Sequence, residues 1–320
     1  MKESPYWKSE QLDRKIHFTL GANYDGRVDG RGRVRGYGEE AIAENPLATN
    51  LSHANYVGPK WETDQARGNT LDDVGYQECL WSFWTSVRGQ EMRMHDAHAA
   101  LESRGMHYRI TAYEGGPGGY AIPGRVDPRQ VEINEQYGKS LAQAVGALDT
   151  WLGSYLLGWS DQCFFSYGQG THWNSHSDFA DGFRPSIGWL AMTLRNRWAR
   201  GDLVAVAGRD VPTATRGKEA IPLAGAYAFR DGERWSLVLL SRSLGETIPV
   251  TLQLPFARAR SITRHTLAGD PRDTNREAMR VDLESAQVPA GALENGRLTL
   301  EGGLPPGGIF LYVIDAEGSF

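Results

Sequence analysis

Tyr108-Arg-Ile-Thr-Ala-Tyr113, running straight into Glu114-Gly115-Gly116-Pro117-Gly118-Gly119-Tyr120, decides how the chain is read. The first part is a short β-prone run, so the pattern predicts a buried strand over 108–113 with Glu114 directly after it. A carboxylate in that position, followed by glycines, belongs at the mouth of a (β/α)8 barrel, where strand C-termini carry the chemistry and the following loops shape the pocket. Glycines there let the backbone turn sharply and leave room for a ligand to approach the carboxylate.

Similar runs flank this one. Ile16–Gly21 and Asn50–Val57 come before it and Ser154–Trp159 after it. Between the last two, Ile133, Tyr137, Leu141, Val145, Leu148 and Leu152 recur at helical spacing. Ile187, Leu190, Leu194 and Trp198 build an apolar helix face after Pro185, which suits a first helical position. The segment 72–104 is helical in character, with a break near Arg88-Gly89. This alternation predicts a parallel sheet up to about Asp202. From Leu203 the pattern becomes all-β. Ala224–Phe229 and Trp235–Leu240 form a hairpin around Arg230-Asp-Gly-Glu233, and short strands follow near 248–254, 261–266, 297–300 and 309–313. Turns rich in Gly and Pro separate them, as in an antiparallel sandwich. Two domains are therefore expected, 1–202 and 203–320.

Composition narrows the function. The 320 residues carry a net charge of −5, with 40% hydrophobic and 23% charged side chains, the balance of a globular chain. No Lys/Arg cluster recurs on one face, which argues against nucleic acid as a partner. The basic run Arg27–Arg35 is interleaved with glycines and reads as a mobile loop. No apolar stretch of about 18 residues is present, so no membrane span is expected. Met1–Lys8 lacks the apolar core of a signal peptide. Cys79 and Cys163 stand far apart with no CxxC and no metal-ligand spacing, so neither a metal nor a cofactor is expected. Ten Trp, thirteen Tyr and ten Phe suit stacking on sugar faces as well as an ordinary core.

The strand ends form a coherent set. The first is followed by Asn23-Tyr24-Asp25, and the second carries His53, Asn55 and Tyr56 and leads to Trp61-Glu62. The third ends at Glu114, and the fourth at Trp159-Ser160-Asp161. Rings to stack on a sugar, amides to read its hydroxyls and a carboxylate to attack the anomeric carbon are what a carbohydrate pocket requires. In this order, with a β-sandwich behind, the chain resembles the clan A retaining glycoside hydrolases, the α-L-arabinofuranosidase and β-xylosidase branches above all. Leu239–Leu244, Leu267-Ala-Gly-Asp-Pro271 and Leu304-Pro-Pro-Gly-Gly-Ile-Phe-Leu-Tyr312 resemble that family's C-terminal sandwich. The resemblance implies Glu114 as the nucleophile, Tyr56 as the hydrogen-bond donor that orients it, and Trp159 as the floor of the sugar subsite. His53, Asn55, Trp61 and Asp161 would line the same pocket. Strand alternation puts His53 and Asn55 on one face and Tyr56 on the other unless a bulge intervenes.

One departure from the family pattern matters most. Retaining hydrolysis needs a second carboxyl group about 5–5.5 Å from the nucleophile to protonate the leaving oxygen, which in this clan follows an Asn at the end of strand four. The Asn134-Glu135 pair falls mid-helix, facing away from the pocket, and Glu62 and Asp161 are the in-chain substitutes at loop positions. Counting back from Glu114 on strand seven makes Ile16–Gly21 strand five. The expectation is thus the second half of a (β/α)8 barrel plus a sandwich, an N-terminally truncated portion of a longer enzyme whose acid/base lies upstream. Oligomeric state and localisation stay open. A non-catalytic carbohydrate-binding protein and a transglycosidase are the alternatives.

Overall fold

A computed structural model describes residues 4–12, 16–23, 25–45, 47–59, 70–118, 127–167 and 174–317. The chain gathers into two compact units, one of residues 1–55, 88–115 and 154–164, the other of 56–87, 116–153 and 165–320.

In the first unit the chain runs through helix α1 (Pro5–Ser9), strand β1 (Thr19–Gly21), a small hairpin of β2 (Arg27–Val28) and β3 (Val34–Arg35), and helix α2 (Tyr37–Glu44). Then come β4 (Asn50–Val57), α4 (Arg88–Glu102), β5 (Arg109–Pro117) and β6 (Trp159–Gln162), with the tips of β4 and β5 falling in the second unit. The sheet order is β1-β4-β5-β6. β1 runs parallel to β4 from Thr19↔Asn50 to Gly21↔Ser52. β5 runs parallel to β6, pairing Ile110 with Trp159 and Ala112 with Gln162, so β6 carries one extra residue in a bulge. Leu51, His53, Asn55 and Val57 share a buried face of β4, as the two-residue period of a strand demands. Leu51 on that face lies against Gly38 of α2. Leu51, Met94, Leu101, Ile110, Ala112 and Trp159 make the core of this unit.

Several elements sit differently from the sequence pattern. The first strand covers only Thr19–Gly21, and the third runs on through Glu114 to Pro117, because Gly115 and Gly116 continue the strand instead of opening a loop. The fourth begins where it was expected to end, at Trp159; residues before it continue a helix whose buried face runs on through Leu148, Trp151, Leu152 and Ser154. The run Arg27–Arg35 is the β2/β3 hairpin. The Asp29 carboxylate accepts from the backbone N–H groups of Arg31 and Arg33 at 2.9 and 3.0 Å and meets the Arg33 and Arg35 guanidinium groups. The Arg33 N–H bond foremost, with Arg31 and the Arg33 side chain, lowers its pKa to about 2.

The second unit holds α3 (Asp73–Leu80), a π-helical turn at Phe83–Val87, α5 (Pro128–Gly138), α6 (Leu141–Leu156) and α7 (Ile187–Trp198). The π-turn is the break expected near Arg88. The single long helix expected over 133–152 is two, because the Ser140 hydroxyl donates to the Tyr137 carbonyl and accepts from the Gln143 N–H, capping the second. α7 starts after Ser186, whose hydroxyl accepts from the Trp189 N–H, so Pro185 precedes the cap. The antiparallel part comprises β7 (Asp202–Val204), β8 (Thr213–Arg216), β9 (Glu219–Pro222), β10 (Ala224–Asp231), β11 (Arg234–Ser241), β12 (Thr251–Gln253), β13 (Ala259–Leu267), β14 (Glu284–Val288), β15 (Leu293–Glu294), β16 (Arg297–Thr299) and β17 (Ile309–Ala316). They form a six-stranded sheet in the order β14-β13-β17-β11-β10-β7, a three-stranded sheet β12-β16-β15 and the pair β8-β9. The β10/β11 hairpin closes at Asp231↔Arg234, as its sequence predicts. Trp235, Leu237, Phe256, Ile262, Leu298, Phe310 and Ile314 fill the core between the strands.

A buried ion pair lies inside this unit. Arg242, just past β11, donates from Nε and Nη2 to the two carboxylate oxygens of Asp149 on α6 at 2.7 and 2.8 Å. The Tyr227 hydroxyl donates to the same carboxylate at 2.7 Å, and Arg242 Nη1 donates to the carbonyls of Pro222 and Ala224. Burial alone would lower the Arg242 pKa; Asp149 outweighs it and holds the guanidinium above its ordinary value. Removing one partner strands the other charge in a medium that solvates it poorly, which costs about 3–5 kcal/mol. Arg242→Met should therefore lower the urea unfolding free energy by that amount. Adding Asp149→Leu should recover part of the loss, whereas an additive double variant would show the pair to be uncoupled.

Candidate functional site

The C-terminal ends of the parallel strands bring some of the expected residues together. Glu114 sits half-buried near the end of β5. Its neighbour Gly115 runs so close to β4 that an added Cβ would come within 2.7 Å of the Asn55 carbonyl oxygen. Asn55 is fully buried, and its amide donates to Gln162 Oε1 at 2.8 Å and to the Ser154 hydroxyl at 3.2 Å. Ser154 in turn donates to Glu91 at 2.7 Å. Gly115, next to Glu114, thus packs on the backbone of Asn55, whose amide is fixed by Gln162 and Ser154, with Glu91 behind. Buried polar groups persist only when paired in this way.

The other expected residues are placed as follows. His53 is buried, with Nδ1 2.9 Å from the Asn23 carbonyl and its ring tilted against Trp159 at 5.7 Å between centroids. Trp159 is 2% exposed at the start of β6, among Leu51, Met94 and Ile110. Asp161 is exposed and accepts from the Ser160 hydroxyl. In the second unit, Tyr56 is half-buried with its ring edge-on to Phe165 at 6.2 Å. Trp61 and Glu62 lie outside the described residues. Glu135 on α5 is buried against Lys139 at 2.6 Å. Gln162 and Ser154 escaped notice in the sequence because the fourth strand was read five residues too early; with the strand set at 159–162, Gln162 stands at its C-terminal end.

A second cluster was also missed. Glu39 on α2 is 2% exposed, with its carboxyl between Gly26 and Gly36, where a Cβ at either position would collide with it at 2.0 and 2.3 Å. Burial foremost, with the charges of Asp25 and Glu40, pushes its pKa up to about 7. Burial pulls His53 down to about 4, against the opposing pull of the Asn23 carbonyl and Asp25. Nothing in Gly36-Tyr-Gly-Glu39 signals in the sequence how closely the backbones of Gly26 and Gly36 enclose Glu39. Among the described residues, no group of three or more His, Cys, Asp or Glu could hold a metal ion, and no helix is long and apolar enough to cross a membrane.

No protein-family model matches the chain, and no curated protein matches it. Its fold, however, has solved counterparts. The GH51 arabinofuranosidase from Xanthomonas axonopodis pv. citri superposes with a TM-score of 0.61 at 12% identity, over 92% of this chain and 57% of that one. The α-L-arabinofuranosidase from Thermotoga maritima, solved with arabinose, gives 0.62 at 15% identity, over 97% and 60%. A glycoside hydrolase family 44 endoglucanase from Clostridium acetobutylium gives 0.55 at 10% identity, over 98% and 54%. The likeness is one of fold, and this chain spans little more than half the length of each of these enzymes.

The two shifted groups carry a pH signature. Glu39's folded pKa of about 7 lies above its ordinary 4.5, so its contribution to stability is full below 4.5 and is lost as pH rises toward 7. His53's folded value of about 4 lies below its ordinary 6.5, so stability is lost as pH falls from 6.5 toward 4. The slopes oppose each other, each at about 1.4 kcal/mol per pH unit. Wild-type stability should be nearly flat across the overlap. Glu39→Gln should unmask the histidine slope and gain roughly 3 kcal/mol relative to wild type between pH 4 and pH 8. Urea unfolding across that range checks this; parallel curves would place Glu39 in water.

Proposed function

We propose that the chain is the C-terminal part of a retaining glycoside hydrolase acting on plant-type oligo- or polysaccharides, with Glu114 as nucleophile. In this reading β1, β4, β5 and β6 are strands five to eight of a (β/α)8 barrel over 1–202, followed by a β-sandwich over 203–320. The observation that carries it is Glu114 near the C-terminal end of a parallel strand, next to Gly115, which packs on the Asn55 backbone. The fold shared with arabinofuranosidases and an endoglucanase supports the ligand class. Glu114 attacks the anomeric carbon and forms a covalent glycosyl-enzyme, which water then hydrolyses. The Asn55–Gln162 amide pair fixes the backbone against which Gly115 packs, and His53 and Trp159 form the packed interior of the same unit. Protonation of the leaving oxygen falls to a carboxyl group outside these 320 residues, in the position that strand four supplies in the clan. Asp161 is the in-chain substitute.

A substrate whose leaving group needs no proton tests this without that acid. A 2-fluoro arabinofuranoside or xyloside with a dinitrophenolate leaving group should add one glycosyl mass to the chain, and peptide mapping should find it on Glu114. Glu114→Gln should abolish labelling. A label on another residue would remove Glu114 from the role. Absence of any label, with glycans still bound, would favour a carbohydrate-binding protein.

A further inference from the structure

The second unit carries an aromatic ledge and a polar cavity that Glu114's chemistry leaves unused. His176, Phe183 and Phe179 stack as three successive rings: His176 on Phe183 at 4.5 Å and 11°, Phe183 on Phe179 at 4.5 Å and 4°. Phe179 is 84% exposed, so with one face on Phe183 its other face meets solvent. Tyr167, 65% exposed, stands edge-on to His176 and Phe183. Phe183 holds its place at φ +50, a backbone region that costs a bulky residue free energy.

His176 also lines a cavity of about 340 Å3, together with Glu135, Lys139, Asn174, Asp178 and Arg184. That volume lies within the range of small-molecule sites, about 300–1,000 Å3. The cations in it are already engaged. Lys139 meets Glu135 at 2.6 Å and Asn174 Oδ1 at 3.0 Å. Arg276 pairs with Glu132, and Arg184 donates to the backbone carbonyls of Asp181, Asn275 and Arg276. Burial lowers the His176 pKa, so its ring is neutral at physiological pH. Glu132, Glu135, Asp178 and Asp181 outnumber Lys139, Arg184 and Arg276 in the lining, which disfavours an anion, yet the cavity presents fixed donors and acceptors beside an open aromatic face. A neutral polyhydroxylated ring fits both halves, its apolar face on Phe179 and its hydroxyls toward Asp178, Asn174 and Lys139.

We propose that Phe179, Phe183 and His176, with the adjoining cavity, form a carbohydrate-binding platform separate in its residues from Glu114, taking a neutral sugar unit of a longer glycan. The ligand class is shared with the proposed function, but the evidence and the readout are independent of Glu114. Titration calorimetry of the full chain against xylohexaose, linear arabino-oligosaccharides and cellohexaose, with inorganic phosphate as the anionic probe, tests it. Wild type should bind at least one glycan and not phosphate. Phe179→Ala, which removes a solvent-exposed ring and should leave the melting temperature unchanged, should weaken that binding about ten-fold or more, and Asp178→Ala should weaken it too. Glycan binding that neither variant changes would overturn the platform while leaving the glycosidase reading intact. Binding of phosphate alone, or of nothing in the panel, would also overturn it. Loss of fluorosugar labelling at Glu114 with the platform's binding intact would instead sink the glycosidase reading only.

Discussion

The contact between Asp149 and Arg242 is the constraint around which the second unit is organised. It joins the middle of α6, a helix buried almost all round, to the end of a strand in the six-stranded sheet. Its neighbours spread the connection. The Arg242 carbonyl accepts from Gln77 Nε2 and Trp81 Nε1, and the guanidinium lies 5.3 Å from the centre of the Trp84 ring. Helices and sheet are thus held in one register by directional bonds, where apolar packing alone would tolerate sliding. Arg216 and Glu78 add a second tie of the same kind at 2.7 Å.

Much of the secondary structure was legible where period and chemistry agreed. Asn50–Val57 forms a strand where the local pattern placed one, and the Ala224–Ser241 hairpin turns on Asp-Gly, so both were readable from local sequence. The errors share a cause: local sequence that fits more than one structure until distant contacts decide. Ser154–Trp159 is as apolar as a strand, but the helix before it keeps its buried face through Ser154, and only the tertiary arrangement decides where the helix stops. In the same way Arg27–Arg35 looks like a solvated loop until Asp29 gathers two backbone N–H groups and folds it back on itself.

At the candidate site, Glu114 was conspicuous in the sequence and the polar network around Asn55 was not. Glu114 stands out because a charged residue after an apolar run is conspicuous. The amide of Gln162, the hydroxyl of Ser154 and the buried Glu91 are unremarkable in sequence, and their meaning comes from residues far away in the chain that meet in space. His53 and Trp159 were conspicuous as residue types but are packed inside, which shows how poorly residue type distinguishes a pocket wall from a core. Glu39 is the converse, an ordinary helix glutamate made unusual by two glycine backbones.

The extra residue in β6 has a consequence for how this chain tolerates change in length. Between Ile110 and Ala112 on β5, the opposite strand spends three steps, not two, in reaching Gln162. That added step sets the phase of the strand: it determines which way Gln162 faces and hence whether its amide meets Asn55. Deleting a residue at Ser160 or Asp161 would turn Gln162 to the opposite face of the sheet while leaving every side chain of the network in the sequence. The spacing between Trp159 and Gln162 is therefore under as much constraint as the identity of either residue.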